Sequence, residues 1–345
     1  MSILLTGLTG VVGSYLAPIL AHKTEVFCLV RNGKSRVSNG KLWGIPETQI
    51  IDGDISENSC GLNKNDLITL QNKGINKIIH AAASIKFDAK LSEKVWQINY
   101  NGTKNILELA HTLNVKAFHY ISTAYASTKR NPYEASKDET EKLVKQSNLA
   151  YSIYRLAIIV GHSETGYIKS FDGLYGYLAG LYRIAKKERQ KQNIQNKHIN
   201  LPIYIECSSS STLNIVPIDW VMKILIGLIE IPPINQSFYI THPNPPQVKI
   251  MMEQSINILG ISGIKFYQPN MLPPVHPEAH WQVIQKIISK QLKRYRPYIT
   301  EEKQFSVQNT QATLGNKYIQ PPLITNEVLS VLLNYAKKKN FGAYR

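Results

Sequence analysis

The sequence predicts an α/β fold, a doubly wound parallel sheet followed by a smaller, discontinuous C-terminal lobe. Short apolar runs recur at 2–6, 25–30, 48–51, 77–82, 117–122 and 151–160, with helical patterns between them. A glycine-rich turn follows the first run directly and opens a helix. After Gly161 the alternation breaks down. Six parallel strands joined by crossover helices put a ligand beyond the strands' carboxyl ends, so the residues just after each run are the ones to inspect.

The first run, Ile3-Leu4-Leu5, feeds Thr6-Gly7-Leu8-Thr9-Gly10-Val11-Val12-Gly13. A helix over 11–21 and the run 25–30 complete a βαβ unit. A strand entering such a turn lets backbone approach a pyrophosphate, and the helix directs its N–H groups and positive dipole end at the phosphate charge. Gly7, Thr9, Gly10, Val11, Val12 and Gly13 are therefore candidate dinucleotide-binding residues.

The end of the second run distinguishes the two nicotinamide cofactors, because an acid there binds a ribose 2′-hydroxyl and a cation a 2′-phosphate. Val30-Arg31-Asn32 follows, with Lys34 and Arg36 beyond and no carboxylate in that stretch. A guanidinium pairs two phosphate oxygens at once, so Arg31, supported by Lys34 or Arg36, points to NADPH/NADP+. Asp54 and Ile55, after the third run, are expected to meet the adenine, although Asp54 in such a place also serves as a turn cap. Ala81, Ala82 and Ala83, after the fourth, offer small side chains along which the cofactor can lie.

A carbonyl reductase needs a proton donor beside its hydride source. Tyrosine four residues before lysine puts both on one helix face, where the ammonium favours phenolate. Five such pairs occur: Tyr100/Lys104, Tyr125/Lys129, Tyr133/Lys137, Tyr182/Lys186 and Tyr335/Lys339. Random placement of 19 tyrosines and 31 lysines already gives about two. Context selects Tyr133/Lys137. Pro132 is a favoured helix start, the segment beyond it reads as helix, and it comes soon after Ser122-Thr123 at the end of the fifth run. A strand-end hydroxyl and a phenol on the next helix can converge on one oxygen; Tyr125 is too near Thr123 in the chain to do so.

Beyond Gly161, the polar run 186–200 suggests a solvated helix end or mobile loop, and 214–231 a short strand and a helix returning to the sheet. The expected organisation is a dinucleotide-binding domain at 1–161 with return segment 214–240, a substrate-binding lobe from 162–213 and 241–325, and a basic amphipathic helix or tail at 326–345. Forty basic against 24 acidic residues give +16, which favours anionic ligands or acidic partners. No aromatic-plus-basic nucleic-acid module is visible. Cys28, Cys60 and Cys207 show no ligand spacing, so neither disulfides nor a metal site is implied and a reduced cytoplasm is expected. No window suits a membrane span, since Asp219 and Lys223 interrupt the most apolar long stretch. The chain is expected to be soluble and unprocessed.

Taken together, the glycine turn to Gly13, Asp54-Ile55, His80-Ala-Ala-Ala-Ser-Ile-Lys-Phe87, Asn99-x-x-Gly-Thr103, Ser122-Thr-Ala-Tyr125 and Asn131-Pro-Tyr-Glu-Ala-Ser-Lys137 resemble the extended short-chain dehydrogenase/reductase superfamily. The stretch 80–87, the Tyr-Glu-x-Ser-Lys form, 161–166 with 171–173, and Val216-Pro-Ile-Asp219 are most similar to its thioester reductase and fatty acyl-CoA reductase branch, with male-sterility-type NAD-binding domains. The resemblance implies a Rossmann-type domain in which Thr123, rather than its neighbour Ser122, hydrogen-bonds the carbonyl oxygen and Tyr133 gives the proton. Lys137 would hold the ribose and lower the tyrosine pKa, and Asn99 would steady a water linking Lys137 to solvent. A mid-helix asparagine also simply kinks or caps a helix. The implied activity is NADPH-dependent reduction of an acyl thioester, or its derived carbonyl, on coenzyme A or an acyl carrier protein. Reduction of a free small carbonyl compound, in the manner of hydroxysteroid dehydrogenases, is the alternative among enzymes. A non-catalytic NADPH sensor would need neither the Tyr133/Lys137 pair nor the strand-end hydroxyl.

Overall fold

The apolar runs line up side by side, every neighbouring pair parallel, because strands apolar on both faces must be covered by helices on both. The computed structural model describes residues 2–194 and 198–343. Seven strands make the main sheet: β1 (Ser2–Thr6), β2 (Glu25–Val30), β3 (Ile50–Asp52), β4 (Ile75–His80), β5 (Ala117–Thr123), β6 (Tyr151–Leu156) and β9 (Gln236–Ile240). Their order is β9-β6-β5-β4-β1-β2-β3. The chain runs outward from β1 to β3 and then crosses back to β4. The order therefore reverses between β1 and β4, and that switch point opens a crevice at the carboxyl ends where the glycine turn lies.

Helices α1 (Val11–Ala21), α2 (Lys64–Asn72), α3 (Gly102–Thr112) and α4 (Pro132–Lys145) make the crossovers. Leu4, Phe27, Ile78, Phe118 and Ile153, one from each of five strands, share a core with Ile106 and Ala110 of α3. The longer of the later helices are α5 (Leu174–Lys191), α6 (Ile218–Ile229), α7 (Val248–Ile258), α8 (Ala279–Leu292) and α9 (Asn326–Lys338).

Two expectations are corrected. The run 151–160 is two strands: Ala157 N still donates to Ile240 O (3.1 Å), whereas Ile158 N donates to Asn214 O (3.1 Å). From there β7 (Ile158–Val160) pairs with β8 (Ile215–Pro217) in a separate two-stranded sheet. The short strand at 215–217 thus does not return to the main sheet. Gln236–Ile240 does, and its half-buried alternation marks an edge strand with one covered face.

The described residues divide into two compact units, one of 1–157, 221–241 and 306–319, the other of 158–220, 242–305 and 320–345. In the second, α5 extends to Lys191, so the polar run beginning at 186 starts as helix; residues 195–197 lie outside the described ones. Thr325 caps α9, which buries Leu329, Leu332, Leu333 and Ala336. The C-terminal helix is therefore a packed element, with 344–345 outside the described residues. Cys28, Cys60 and Cys207 are buried free thiols. Among the described residues no helix is long and apolar enough to cross a membrane.

Candidate active site

Every candidate residue belongs to the first unit. The turn after β1 is compressed to a degree only glycine permits. Gly7 has φ +79°, and a Cβ there would stand 2.6 Å from Ala81 C and Ala82 N. A Cβ at Gly13 would meet Gly7 O at 2.2 Å. Gly10, exposed, caps α1 without a side chain, and its N–H donates to Gly7 O (2.9 Å). Thr9, Val11 and Val12 are partly exposed. Backbone is thereby left open at the head of a helix, a cradle that fits a pyrophosphate. The backbone of Ala81 and Ala82 lies against this loop, with Ala83 next in the chain.

A buried hydrogen-bond chain holds the loop's entry. Ala82 N donates to Thr6 Oγ1 (3.2 Å), which meets His80 Nδ1 (2.6 Å); His80 Nε2 meets Thr103 Oγ1 (3.0 Å), and that hydroxyl donates to Asn99 O (2.6 Å). With Thr103 donating onward, His80 must donate from Nε2 and accept at Nδ1, which is the neutral ring. Burial, with the Lys137 charge adding to it, pulls the His80 pKa down to about 3. Asn99 lies in a π-helical turn (Gln97–Asn101). Its Oδ1 accepts from Ser84 N (2.7 Å), and its Nδ2 donates to Ser84 O (3.0 Å) and Ser136 Oγ (2.8 Å). Both amide protons are committed, so Asn99 ties the segment after β4 to α4.

Tyr133 stands in the first turn of α4. Asn131 Oδ1 caps that turn through Glu134 N (3.0 Å), and Pro132 fills a position that needs no donor. The fully buried Glu134 takes Arg130 (Nη2 to Oε1, 3.0 Å) and Thr128 (Oγ1 to Oε2, 2.5 Å), fixing the approach to the helix. Thr123, at the end of β5, lies close enough to Tyr133 to act on its hydroxyl, and the Tyr133 ring stacks on Phe87 (6.2 Å). Burial holds its hydroxyl above the usual phenol range, against the lowering effect of Thr123. Ser122 instead donates to the buried Glu141 (2.7 Å), which also binds Arg155 (Nη2 to Oε2, 2.6 Å). That leaves Thr123 as the hydroxyl beside Tyr133.

Lys137 departs from expectation. Its Nζ donates to Tyr120 Oη (3.0 Å) and Ile121 O (2.7 Å), and among the described residues no hydrogen bond joins it to Tyr133. Burial pulls its pKa down to about 7, partly offset by Glu141. The amine is thus held against β5 rather than at the phenol it was expected to prime.

The strand-end cations also sit differently. Arg31 Nη1 is 3.5 Å from Asp54 Oδ2, so a carboxylate does reach this rim, delivered by the neighbouring strand. Asp54 Oδ1 accepts from Ser56 N (2.9 Å) and Ser56 Oγ (2.7 Å), the turn cap weighed above. Hydrogen bonds from Ser56 and the Arg31 charge outweigh partial burial and hold its carboxyl below the usual range. Lys34 N donates to Asp52 Oδ1 (3.1 Å), and Lys34 and Arg36 are exposed. Ile55, 8% exposed, packs where a Cβ on Gly102 would come within 2.9 Å of its Cδ1. Its side chain is a core contact.

Comparison with known proteins gives the family and the fold. The family described as "Male sterility protein", an NAD-binding family, matches residues 5–132 and 126–225, together more than half of the sequence. The chain belongs to that family. Over 145 residues it is 31% identical to the "Fatty acyl-CoA reductase wat" of Drosophila melanogaster, covering 36% of this chain and 28% of that protein. The chain thus spans little more than a quarter of that curated relative. The terminal R domain of the myxalamid PKS-NRPS pathway superposes with TM-score 0.74 at 22% identity, covering 99% of this chain and 91% of that one. A thiolation-reductase di-domain from an archaeal non-ribosomal peptide synthetase gives 0.72 at 18%, covering 99% and 76%. The fold is that of the extended short-chain dehydrogenase/reductases, a superfamily of NAD(P)-dependent oxidoreductases.

Within this male sterility family member, sequence reasoning passed over Tyr120, the partner of Lys137. Its signal was a polar-tipped aromatic in a fully buried strand, two residues before Ser122 and Thr123. Thr6 and Thr103 were quoted within motifs without a role, because their link through His80 joins residues 74 and 23 positions apart.

Proposed function

We propose that the protein is an NADPH-dependent reductase of an acyl thioester carried on coenzyme A or on the phosphopantetheine arm of a carrier protein. The observation that carries this reading is the Thr123–Tyr133 pair, a strand-end hydroxyl beside a phenol in the first turn of α4. Gly7, Thr9, Gly10, Val11, Val12 and Gly13 would hold the pyrophosphate, Ala81, Ala82 and Ala83 would flank the cofactor, Asp54 and Ile55 would border the adenine, and Arg31 would meet a 2′-phosphate, with Lys34 or Arg36 in support. Lys137 would turn from Tyr120 to the ribose. The reduced nicotinamide would supply the hydride to the thioester carbonyl carbon.

Thr123 and Tyr133 would donate hydrogen bonds to the oxyanion that develops there. A phenol held protonated well above neutrality is suited to that task. Collapse of the tetrahedral adduct breaks the carbon–sulfur bond, releases thiol once the sulfur takes a proton, and leaves aldehyde. A second hydride, with the Tyr133 proton going to oxygen, would give alcohol. Asn99 acts here as a positioning residue that fixes the segment at 84 against α4. The second unit is assigned to substrate recognition.

The test is NADPH oxidation with acyl-coenzyme A, followed by fluorescence. Tyr133→Phe is expected to lower kcat by about a hundredfold or more while NADPH affinity changes little. Full turnover in that variant would reject the assignment, and NADPH binding without oxidation of any acyl thioester, aldehyde or ketone would favour a sensor.

A further inference from the structure

Apolar side chains stand open to solvent over 271–287 of the second unit. Met271, Leu272 and Val275 are 60, 91 and 81% exposed, in a loop stiffened by Pro273, Pro274 and Pro277. Val283 and Ile287, 57 and 45% exposed, follow four residues apart on α8, whose opposite face buries Trp281, Ile284, Ile288 and Leu292. The outward face continues with Lys286 and Lys290, and Lys293 and Arg294 come just after the helix; all four are exposed.

The base of the loop is ordered. Gln282 Nε2 donates to His276 O (2.8 Å), Glu278 N donates to His276 Nδ1 (3.1 Å), and the His276 ring meets Trp281 edge-on. From 279 to 300 the sequence has no acidic residue. The nearby carboxylates are largely neutralised: Glu188 of α5 is buried against Lys191 (2.9 Å) and His280 (3.0 Å), and Glu206 pairs with Arg296 (2.6 Å). Exposed Glu278, at the head of α8, is an exception, and exposed Glu301 and Glu302 follow directly after Thr300. An aliphatic projection is thus set in a positive field.

We propose that this surface docks the protein on an anionic lipid bilayer, with Leu272 and Val275 among the acyl chains and Lys286, Lys290, Lys293 and Arg294 at the phosphate headgroups. Charge complementarity supplies the long-range attraction, and the net charge of +16 adds to it. The two terms together give the paired signal that reversible membrane attachment requires. A folded acidic partner is the poorer match. Protein interfaces centre on Trp, Tyr or Arg anchors seated in pockets, whereas here the aromatic of the segment, Trp281, turns inward and the groups standing furthest out are aliphatic. Aliphatic groups nearly clear of their own protein suit a fluid apolar phase that needs no matching shape. No residue of the proposed active site takes part, so this surface stands or falls independently of the reaction.

The experiment is co-sedimentation of the full chain with vesicles of equal parts phosphatidylcholine and phosphatidylglycerol, against phosphatidylcholine alone. Binding is expected to the first, weakening with added salt. Lys286→Glu with Lys290→Glu should reduce it by about thirtyfold or more, and Leu272→Asp by about tenfold or more. NADPH binding serves as the check that each variant is folded. Sedimentation with neither vesicle, or equal sedimentation of the variants and the parent, overturns the proposal. So does recruitment by purified holo-acyl carrier protein without any vesicle binding.

Discussion

Lys137 and Tyr133 lie on one face of α4 yet face different partners. The amine is 3.0 Å from Tyr120 Oη and 2.7 Å from Ile121 O, both on β5, while the phenol lies beside Thr123. Tyr120 accepts a hydrogen bond from the Lys137 ammonium and so stabilises its charged form, which burial disfavours. Removing that acceptor lets the pKa, already down to about 7, fall further. If the ammonium is the working form, activity declines as pH rises past that value. In Tyr120→Phe the declining limb of kcat/KM for NADPH, which reports the free enzyme in which Lys137 bonds Tyr120, should therefore come about one pH unit lower, with NADPH affinity at low pH nearly unchanged. An unmoved limb would show that Tyr120 only fills space. At the strand-2 rim, Arg31 is largely exposed and only loosely paired with Asp54, so its guanidinium can reorient to a phosphate. Arg31→Ser should weaken NADPH binding by about tenfold while leaving NADH where it was. Equal loss for both cofactors would remove the basis for choosing NADPH.

Helix α4 owes its position to a few local groups, and most of them can be read in the chain. Pro132 marks the first turn, and Asn131 just before it is a residue type that caps helices well. Asn131→Ala should lower stability by about 1 kcal/mol in urea unfolding. Because Tyr133 sits in the turn that Asn131 holds, kcat should fall while the protein is still fully folded. A loss of stability with kcat untouched would mean that Glu134 and Arg130 alone set the phenol. The glycine turn, β1, β2 and α1 were legible for the same reason, since each is specified by neighbours in sequence. The seventh strand and the division at Ala157 were not. A continuous apolar run at 151–160 carries no mark of where its partner changes from Gln236–Ile240 to Ile215–Pro217. The Lys137–Tyr120 contact was hidden likewise, because i, i+4 spacing brings two side chains to one face without saying which neighbouring strand offers the better acceptor.

Across the whole molecule, the buried imidazoles set a pH dependence that single-site activity does not report. His80 and His119 are fully buried, and burial lowers both to about 3, with nearby Lys137 and Lys77 adding to the effect. His119 Nδ1 meets Tyr154 Oη (2.7 Å), and its Nε2 has no hydrogen-bond partner among the described residues, so a proton there would be poorly accommodated. In the unfolded chain the same rings take up protons near pH 6.5. Between that value and about 3 the unfolded state binds more protons, so folding stability falls as the pH is lowered. Each ring steepens the fall by up to about 1.4 kcal/mol per pH unit, and neither contributes above pH 6.5. Lys137 has the same sign in a higher window, with stability rising between about 7 and its ordinary value of 10.5. The two windows barely overlap, so they can be separated by measuring urea midpoints across the pH range. His119→Asn should flatten the acid limb by up to one proton's worth and leave the alkaline rise intact, because His119 lies outside the Lys137 contacts. An acid limb equally steep in parent and variant would mean that His119 is protonated in the folded protein, and the buried ring would need a partner that its surroundings do not provide.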